Sequence, residues 1–271
     1  MTVAGLKGTD RITRVFARAK AERWLAVAIY LTVGYPDRVS TPALLRAALE
    51  GGADLIELGV PFSDPLADGT TVQRANEIAL ANGVTLADCL DAGRELVGAT
   101  DATVLLMGYT NPFEQYGFQA FARDAAGAGI AGVIVPDMPA EESATFGTEI
   151  IQTGLARVDL FAPTTPDDRL ARLAPGSRGF VYCVSLTGVT GARRAVGSDV
   201  EAFVGRVRAH TALPIVLGFG ISAPSHVAAL RGVVDGVAIG SAAIDVVTGA
   251  TADRPAALRD FVRSLADAGR S

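Results

Sequence analysis

Three carboxylates stand close together in this chain. Glu57 interrupts the apolar run Leu55-Ile56-Glu57-Leu58-Gly59-Val60, and Asp64 and Asp68 follow in Pro61-Phe62-Ser63-Asp64-Pro65-Leu66-Ala67-Asp68-Gly69. A carboxylate inside an apolar strand is unfavourable unless it is paired or used. Apolar walls would raise its pKa toward the range where it can give and take protons near neutrality. Two readings of Glu57 stay open: a structural carboxyl bonded to a neighbour, or a general acid/base. Asp68 precedes a helical stretch and can serve as its N-cap. Asp64 can close a turn. The only histidines, His210 and His226, fall inside expected helices, away from strand ends. Cys89 and Cys183 lack metal-ligand spacing and read as reduced core thiols. Acid–base work therefore falls to carboxylates, and no metal is expected.

The elements that must position these groups alternate along the chain. Continuous apolar runs predict strands over 26–33, 55–60, 103–107, 132–135, 158–162, 180–184, 214–217 and 237–239. Helical spacing predicts an N-terminal cap helix over 10–23 and a helix from Ser40 to the Gly51-Gly52 stop. Another has Val72, Ala75, Ala79 and Leu80 on one face. Further helices are expected over 86–97, 118–128, 141–152, 167–173, 200–210, 225–230, from Ser241, and over 255–268. Strands that are apolar throughout are covered on both faces, as in parallel sheets. Eight β–α units at this length predict an α/β fold, a (β/α)8 TIM barrel forming one domain over 1–271. An open doubly wound sheet would show a G-x-G-x-x-G turn after its first strand, where this chain has Gly34-Tyr35-Pro36.

In such barrels the site lies at the C-terminal ends of the strands. Candidates are then Glu57, Asp68, Asn111, Asp137, Tyr182, Thr187, Thr190, the 218–222 turn and Gly240-Ser241. Alternation along the second strand turns Leu55, Glu57 and Gly59 inward. The turns after strands seven and eight, Gly218-Phe219-Gly220-Ile221-Ser222 and Gly240-Ser241, are glycine-rich without Lys or Arg. They are ordinary turns, or they hold a phosphate on backbone amides at a helix N-terminus; their position favours the second reading. The stretch 186–197 is long for a βα loop and reads as a lid, with Thr190 able to reach the Asp68 loop on closure.

Composition narrows the class. The 271 residues carry net charge -5 with 49% hydrophobic and 6% aromatic residues, so the core is aliphatic. Without a basic block there is no footprint for nucleic acid or an anionic membrane surface. No run is long enough for a membrane span and no signal-type segment opens the chain, so a cytoplasmic protein is expected.

Residues 56–69 resemble the signature of the tryptophan synthase α subunit family. Leu106-Met107-Gly108-Tyr109-Thr110-Asn111-Pro112, Pro136-Asp137-Met138-Pro139 with Glu141-Glu142-Ser143, Ser185-Leu186-Thr187-Gly188-Val189-Thr190-Gly191, Gly218-Phe219-Gly220-Ile221 and Gly240-Ser241 resemble its other patterns in order. The resemblance implies retro-aldol cleavage of indole-3-glycerol phosphate to indole and glyceraldehyde 3-phosphate. It implies Glu57 as general acid/base, Asp68 as acceptor of the indole N–H, and Tyr182 beside the catalytic carboxylate. Phosphate binding would fall on Gly191, Gly220, Gly240 and Ser241. Tyr30, Leu106 and Phe219 would wall the indole, and Thr190 would meet Asp68. No cofactor is implied for this half-reaction; the pyridoxal phosphate belongs to the β partner, with which an α2β2 complex is implied. The first strand, with Tyr30, is more aromatic than the family's common pattern, and Leu186 stands where some members carry a basic lid residue.

Three functions follow for comparison: the α subunit of a channelled complex, a standalone lyase releasing free indole, and a catalytically weak phosphate-binding regulator of a β subunit. The paired Glu57 and Asp68 argue against the last.

Overall fold

The computed structural model describes residues 7–184, 198–218 and 220–270. The chain runs α1 (Gly8–Glu22), β1 (Ala26–Thr32), α2 (Thr41–Glu50), β2 (Leu55–Gly59), α3 (Thr70–Ala81), α4 (Leu86–Ala99) and β3 (Thr103–Met107). It continues through α5 (Thr110–Tyr116), α6 (Phe118–Gly127), β4 (Gly132–Ile134), α7 (Ala144–Gln152), β5 (Ala156–Val158), β6 (Leu160–Phe161) and α8 (Asp167–Leu173). It then forms β7 (Val181–Val184), α9 (Ser198–Arg208), β8 (Ile215–Gly218), α10 (Pro224–Ala229), β9 (Gly236–Ile239), α11 (Ser241–Gly249) and α12 (Arg254–Arg270). Every paired strand is parallel, in the order β5-β4-β3-β2-β1-β9-β8-β7-β6. All seven residues of β1 and all five of β2 are buried, as strands covered inside and outside must be. The result is the expected (β/α)8 barrel.

The fifth strand is split. β5 pairs only with β4 and β6 only with β7, so the ring closes through one strand broken at Asp159. The break follows from two charged side chains in an otherwise apolar run. Arg157 stands beside Val133 on the helix-facing side of the wall. Its Nε lies 3.0 Å from Asp159 Oδ1, its Nη1 donates to Ser143 Oγ at 3.0 Å, and Ser177 Oγ donates to Asp159 Oδ2 at 2.7 Å. Backbone bonds bridge the gap, with Tyr182 N donating to Asp159 O at 3.0 Å.

Two helical expectations also change. The extra helix α5 starts where Thr110 N and Oγ1 donate to Asp137 Oδ1 at 2.9 and 3.0 Å. That cap arrives from the far side of β4, so local sequence does not announce it. In α3 the buried stripe is Val72, Ala75, Asn76 and Ala79, while Leu80 is 37% exposed.

α1 closes the bottom of the barrel. The buried Arg11 guanidinium donates to the carbonyls of Gly129 and Ala102, and Phe16 packs 5.7 Å from Phe180 between ring centroids. Beside it, buried Asp54 accepts Val27 N at 3.0 Å and lies 3.5 Å from Arg18 and 3.7 Å from Arg270. Both guanidinium groups stack on the Trp24 ring, each 5.1 Å from its centroid. Among the described residues, no helix is long and apolar enough to cross a membrane.

Candidate active site

Glu57 is fully buried at the centre of β2, beside Tyr30 of β1 and Leu105 of β3. Neither of its carboxylate oxygens has a hydrogen-bond partner among the described residues. No described residue supports the structural reading of a carboxyl bonded to a neighbour. Burial alone pushes its pKa up to about 8. With its pKa near 8 the carboxyl favours its protonated form at neutral pH, and no described residue bonds to it.

Two tyrosines flank it, and two glycines make room for them. A Cβ at Gly59, which ends β2, would collide with the Tyr30 phenol. One at Gly218, which ends β8, would collide with the Tyr182 ring. The Tyr30 hydroxyl lies 3.3 Å from Thr32 Oγ1. Burial first, then the charge of Asp68 at Tyr30 and of Glu57 at Tyr182, raises both phenol pKa values. Both hydroxyls thus stay protonated. Gly218→Ala is expected to displace Tyr182 and to lower turnover by up to roughly 10²-fold, the cost of misplacing a site group by about 1 Å. Unchanged kinetics in a folded variant would show that the ring position is unimportant.

Asp68 does not cap α3. Gly69 is the N-cap, and no side-chain bond caps this helix. A tight turn carries the loop, with Leu66 N donating to Asp64 O at 2.9 Å and Asp68 N to Pro65 O at 3.0 Å. Ala67 N donates to the Tyr109 hydroxyl at 3.0 Å, and Gln73 Nε2 donates to Asp68 O at 3.0 Å. These bonds turn the carboxyl of Asp68 toward Glu57's cavity. Burial, partly offset by hydrogen bonds from Tyr109 and Asn76, leaves its pKa raised to about 6. Tyr109 and Asn76 were not foreseen as its partners. The available signal was Asn76, a polar residue on the buried stripe of α3. Asp64 points outward, with Ser63 Oγ donating to its Oδ2 at 2.5 Å.

Glu57, Asp68, Tyr30 and Tyr182 line one cavity of about 270 Å3 at the C-terminal mouth of the barrel. Met107 lines it too. Leu106, expected at this wall, is fully buried beside Leu58, whose side chain approaches α4 at Gly93. The strand's alternation thus presents Met107 instead.

The far end of the cavity holds Gly220, Ser222, Gly240 and Ser241. Gly220 has φ +82°, a conformation that favours glycine. Ser241 opens α11, Gly240 precedes it, and a Cβ at Gly240 would stand 3.3 Å from Tyr30 Cδ1. The first amides of α11 have no intrahelical acceptor and carry the positive end of its dipole, which suits an anion. His226 is nearer this end than expected, since Ser222 N donates to its Nδ1 at 3.3 Å. Thr187, Thr190, Gly191 and Phe219, with the expected lid over 186–197, lie outside the described residues. Among the described residues, no group of three or more His, Cys, Asp or Glu is placed to hold a metal ion.

The chain has counterparts among known proteins. A family model described as "Tryptophan synthase alpha chain" matches residues 16–268. The tryptophan synthase alpha chain of Roseiflexus castenholzii is 50% identical over 239 residues, spanning 88% of this chain and 92% of its own. That of Roseiflexus sp. (strain RS-1) is 48% identical over 259 residues, spanning 94% and 99%. A solved tryptophan synthase structure from Mycobacterium tuberculosis superposes with a TM-score of 0.89 at 38% identity, covering 96% of this chain and 98% of that one. The Legionella pneumophila alpha subunit superposes with a TM-score of 0.90 at 33% identity, covering 97% and 98%. The chain belongs to the tryptophan synthase alpha chain family.

Proposed function

We propose that this barrel carries out the α half-reaction of tryptophan biosynthesis, cleaving indole-3-glycerol phosphate into indole and glyceraldehyde 3-phosphate with Glu57 and Asp68 as its working groups. The observation that carries this reading is the buried carboxyl of Glu57, without a partner among the described residues, lining the same cavity as Asp68 and the α11 N-terminus. Glu57 gives its proton to the indole ring carbon that bears the side chain, and the ring nitrogen becomes positive. Asp68, ionised above about pH 6, accepts the ring N–H and stabilises that charge. Glu57, now a carboxylate, takes the proton from the adjacent glycerol hydroxyl. The carbon–carbon bond breaks, its electron pair returns to the ring, and the hydroxyl-bearing carbon leaves as an aldehyde. The proton count closes, with Glu57 again protonated. Tyr30, Met107 and Tyr182 wall the indole, joined by Phe219 on the strength of the family pattern. Gly220, Gly240 and Ser241 hold the phosphate; on the strength of the family pattern Gly191 joins them and Thr190 meets Asp68.

Membership of this family supports a β-subunit partner. The 61–69 loop suits that contact: Leu66 is 92% exposed, and Phe62 is stacked on Tyr109 with 5.3 Å between centroids. An apolar side chain held out on an ordered loop next to Asp68 would couple partner binding to the site. We assign the chain to an α2β2 complex in the cytoplasm, with residues 1–271 acting as one barrel domain and no cofactor of its own. The test is indole release from indole-3-glycerol phosphate by the purified chain, with and without a tryptophan synthase β subunit. Large activation by β supports the complex, and equal, high turnover alone supports a standalone lyase. No indole under either condition overturns the function.

A further inference from the structure

The cavity assigned to a phosphorylated substrate carries an unexpected charge pattern. Among its described lining residues are three carboxylates, Glu57, Asp68 and Asp245, and no lysine or arginine. Glu57 is protonated near neutrality and Asp68 is turned to the indole end by the reading above. Asp245 has neither role. It lies on α11 one turn beyond Ser241, and residues four apart share a helix face. Its carboxylate therefore borders the space assigned to the phosphate, which carries close to two negative charges at pH 7. The site offers backbone amides to attract the phosphate and one carboxylate to oppose it.

Asp245 is also held. Thr71 Oγ1 donates to Asp245 Oδ1 at 3.2 Å. Thr71 belongs to the first turn of α3, just past Asp68 and Gly69, so this bond ties the element carrying the indole-binding carboxyl to the helix receiving the phosphate. The hydroxyl both orients the carboxylate and satisfies part of its charge. Resting on the phosphate assignment of Gly240 and Ser241, we propose that Asp245 sets how tightly the site holds the phosphate end of substrate and product, with Thr71 as its positioning residue. A moderated hold has a use here, because glyceraldehyde 3-phosphate keeps the phosphate and must leave after each turnover.

The test is calorimetric titration of inorganic phosphate into the full chain, as wild type, Asp245→Asn, Thr71→Val and the double variant, together with kcat and KM for indole-3-glycerol phosphate. Asparagine keeps the shape and the acceptor for Thr71 at an exposed position, so folding is not at stake. Asp245→Asn is expected to bind phosphate roughly fivefold more tightly at low salt, with KM falling by a similar factor. Most of that gain should vanish at about 0.5 M salt, where exposed charges are screened. Thr71→Val should weaken phosphate binding about twofold, and should change nothing in the Asp245→Asn background. Equal phosphate affinity in wild type and Asp245→Asn overturns the inference while leaving the phosphate site standing. A Thr71→Val effect that persists without the carboxylate overturns the positioning role. If phosphate fails to bind the wild type at all, the assignment of Gly240 and Ser241 falls, and the inference with it.

Discussion

Glu57→Gln abolishes indole release, lowering turnover by at least ~10²-fold, and at the same time raises the thermal stability of the protein at pH 8. The first effect is the loss of a general acid/base. Glutamine fills the same space in the barrel but has no proton to give, so substrate affinity should change far less than kcat. The second effect follows from linkage. Burial raises the Glu57 pKa from 4.5 in an open chain to about 8 in the folded protein. Below pH 4.5 both states hold the proton and the group is neutral to stability. Between 4.5 and 8 the unfolded chain releases its proton while the folded protein keeps it, so stability falls as pH rises. Above 8 the full penalty, on the order of 5 kcal/mol, is in place. Glutamine never ionises and escapes it. Melting curves of both proteins from pH 4 to 9 should therefore diverge with rising pH. Parallel curves would show that Glu57 is not a buried, unpartnered acid, and near-normal turnover would end its assignment to the chemistry.

Asp68→Asn lowers kcat by roughly one to two orders of magnitude and raises KM much less. The carboxylate is needed when the ring nitrogen becomes positive, a charge absent from the bound ground state. An effect confined to KM would make Asp68 a positioning group only. The wild-type pH profile carries the same information. Asp68 must be ionised and Glu57 protonated, so kcat/KM should rise through about pH 6 and fall through about pH 8. In Asp68→Asn the acid limb disappears and the alkaline limb remains.

The groups that carry these effects were the most legible in sequence. A Glu in a buried strand is conspicuous because its surroundings are continuous and apolar, and alternation along the strand turned it toward the cavity it lines from the centre of β2. What remained hidden was set by contacts between distant segments. The cap of α5 comes from Asp137, across β4. Tyr109 supports the Asp68 loop from the end of β3, and Asn76 faces it from inside α3. Met107 and Leu106 differ by one step of alternation, which only the pairing with β2 resolves: Leu105 stands beside inward-facing Glu57, so Met107 shares its side. The split of the fifth strand depends on Ser143 and Ser177, which come from two different connections. Charges at Arg157 and Asp159 hinted at an irregularity without saying where the pairing would break.

The seam at Asp159 also governs how the molecule meets its own copies. A sheet laid out flat ends in two margins whose amides and carbonyls can recruit another chain and seed polymerisation. Here both margins are halves of one strand: β5 turns its paired side to β4, β6 turns its paired side to β7, and Asp159 O accepts Tyr182 N across the join. Each margin shields the other, so a fold built from the most aggregation-prone kind of sequence, short continuous aliphatic runs, offers no template for fibre growth while its ring stays shut.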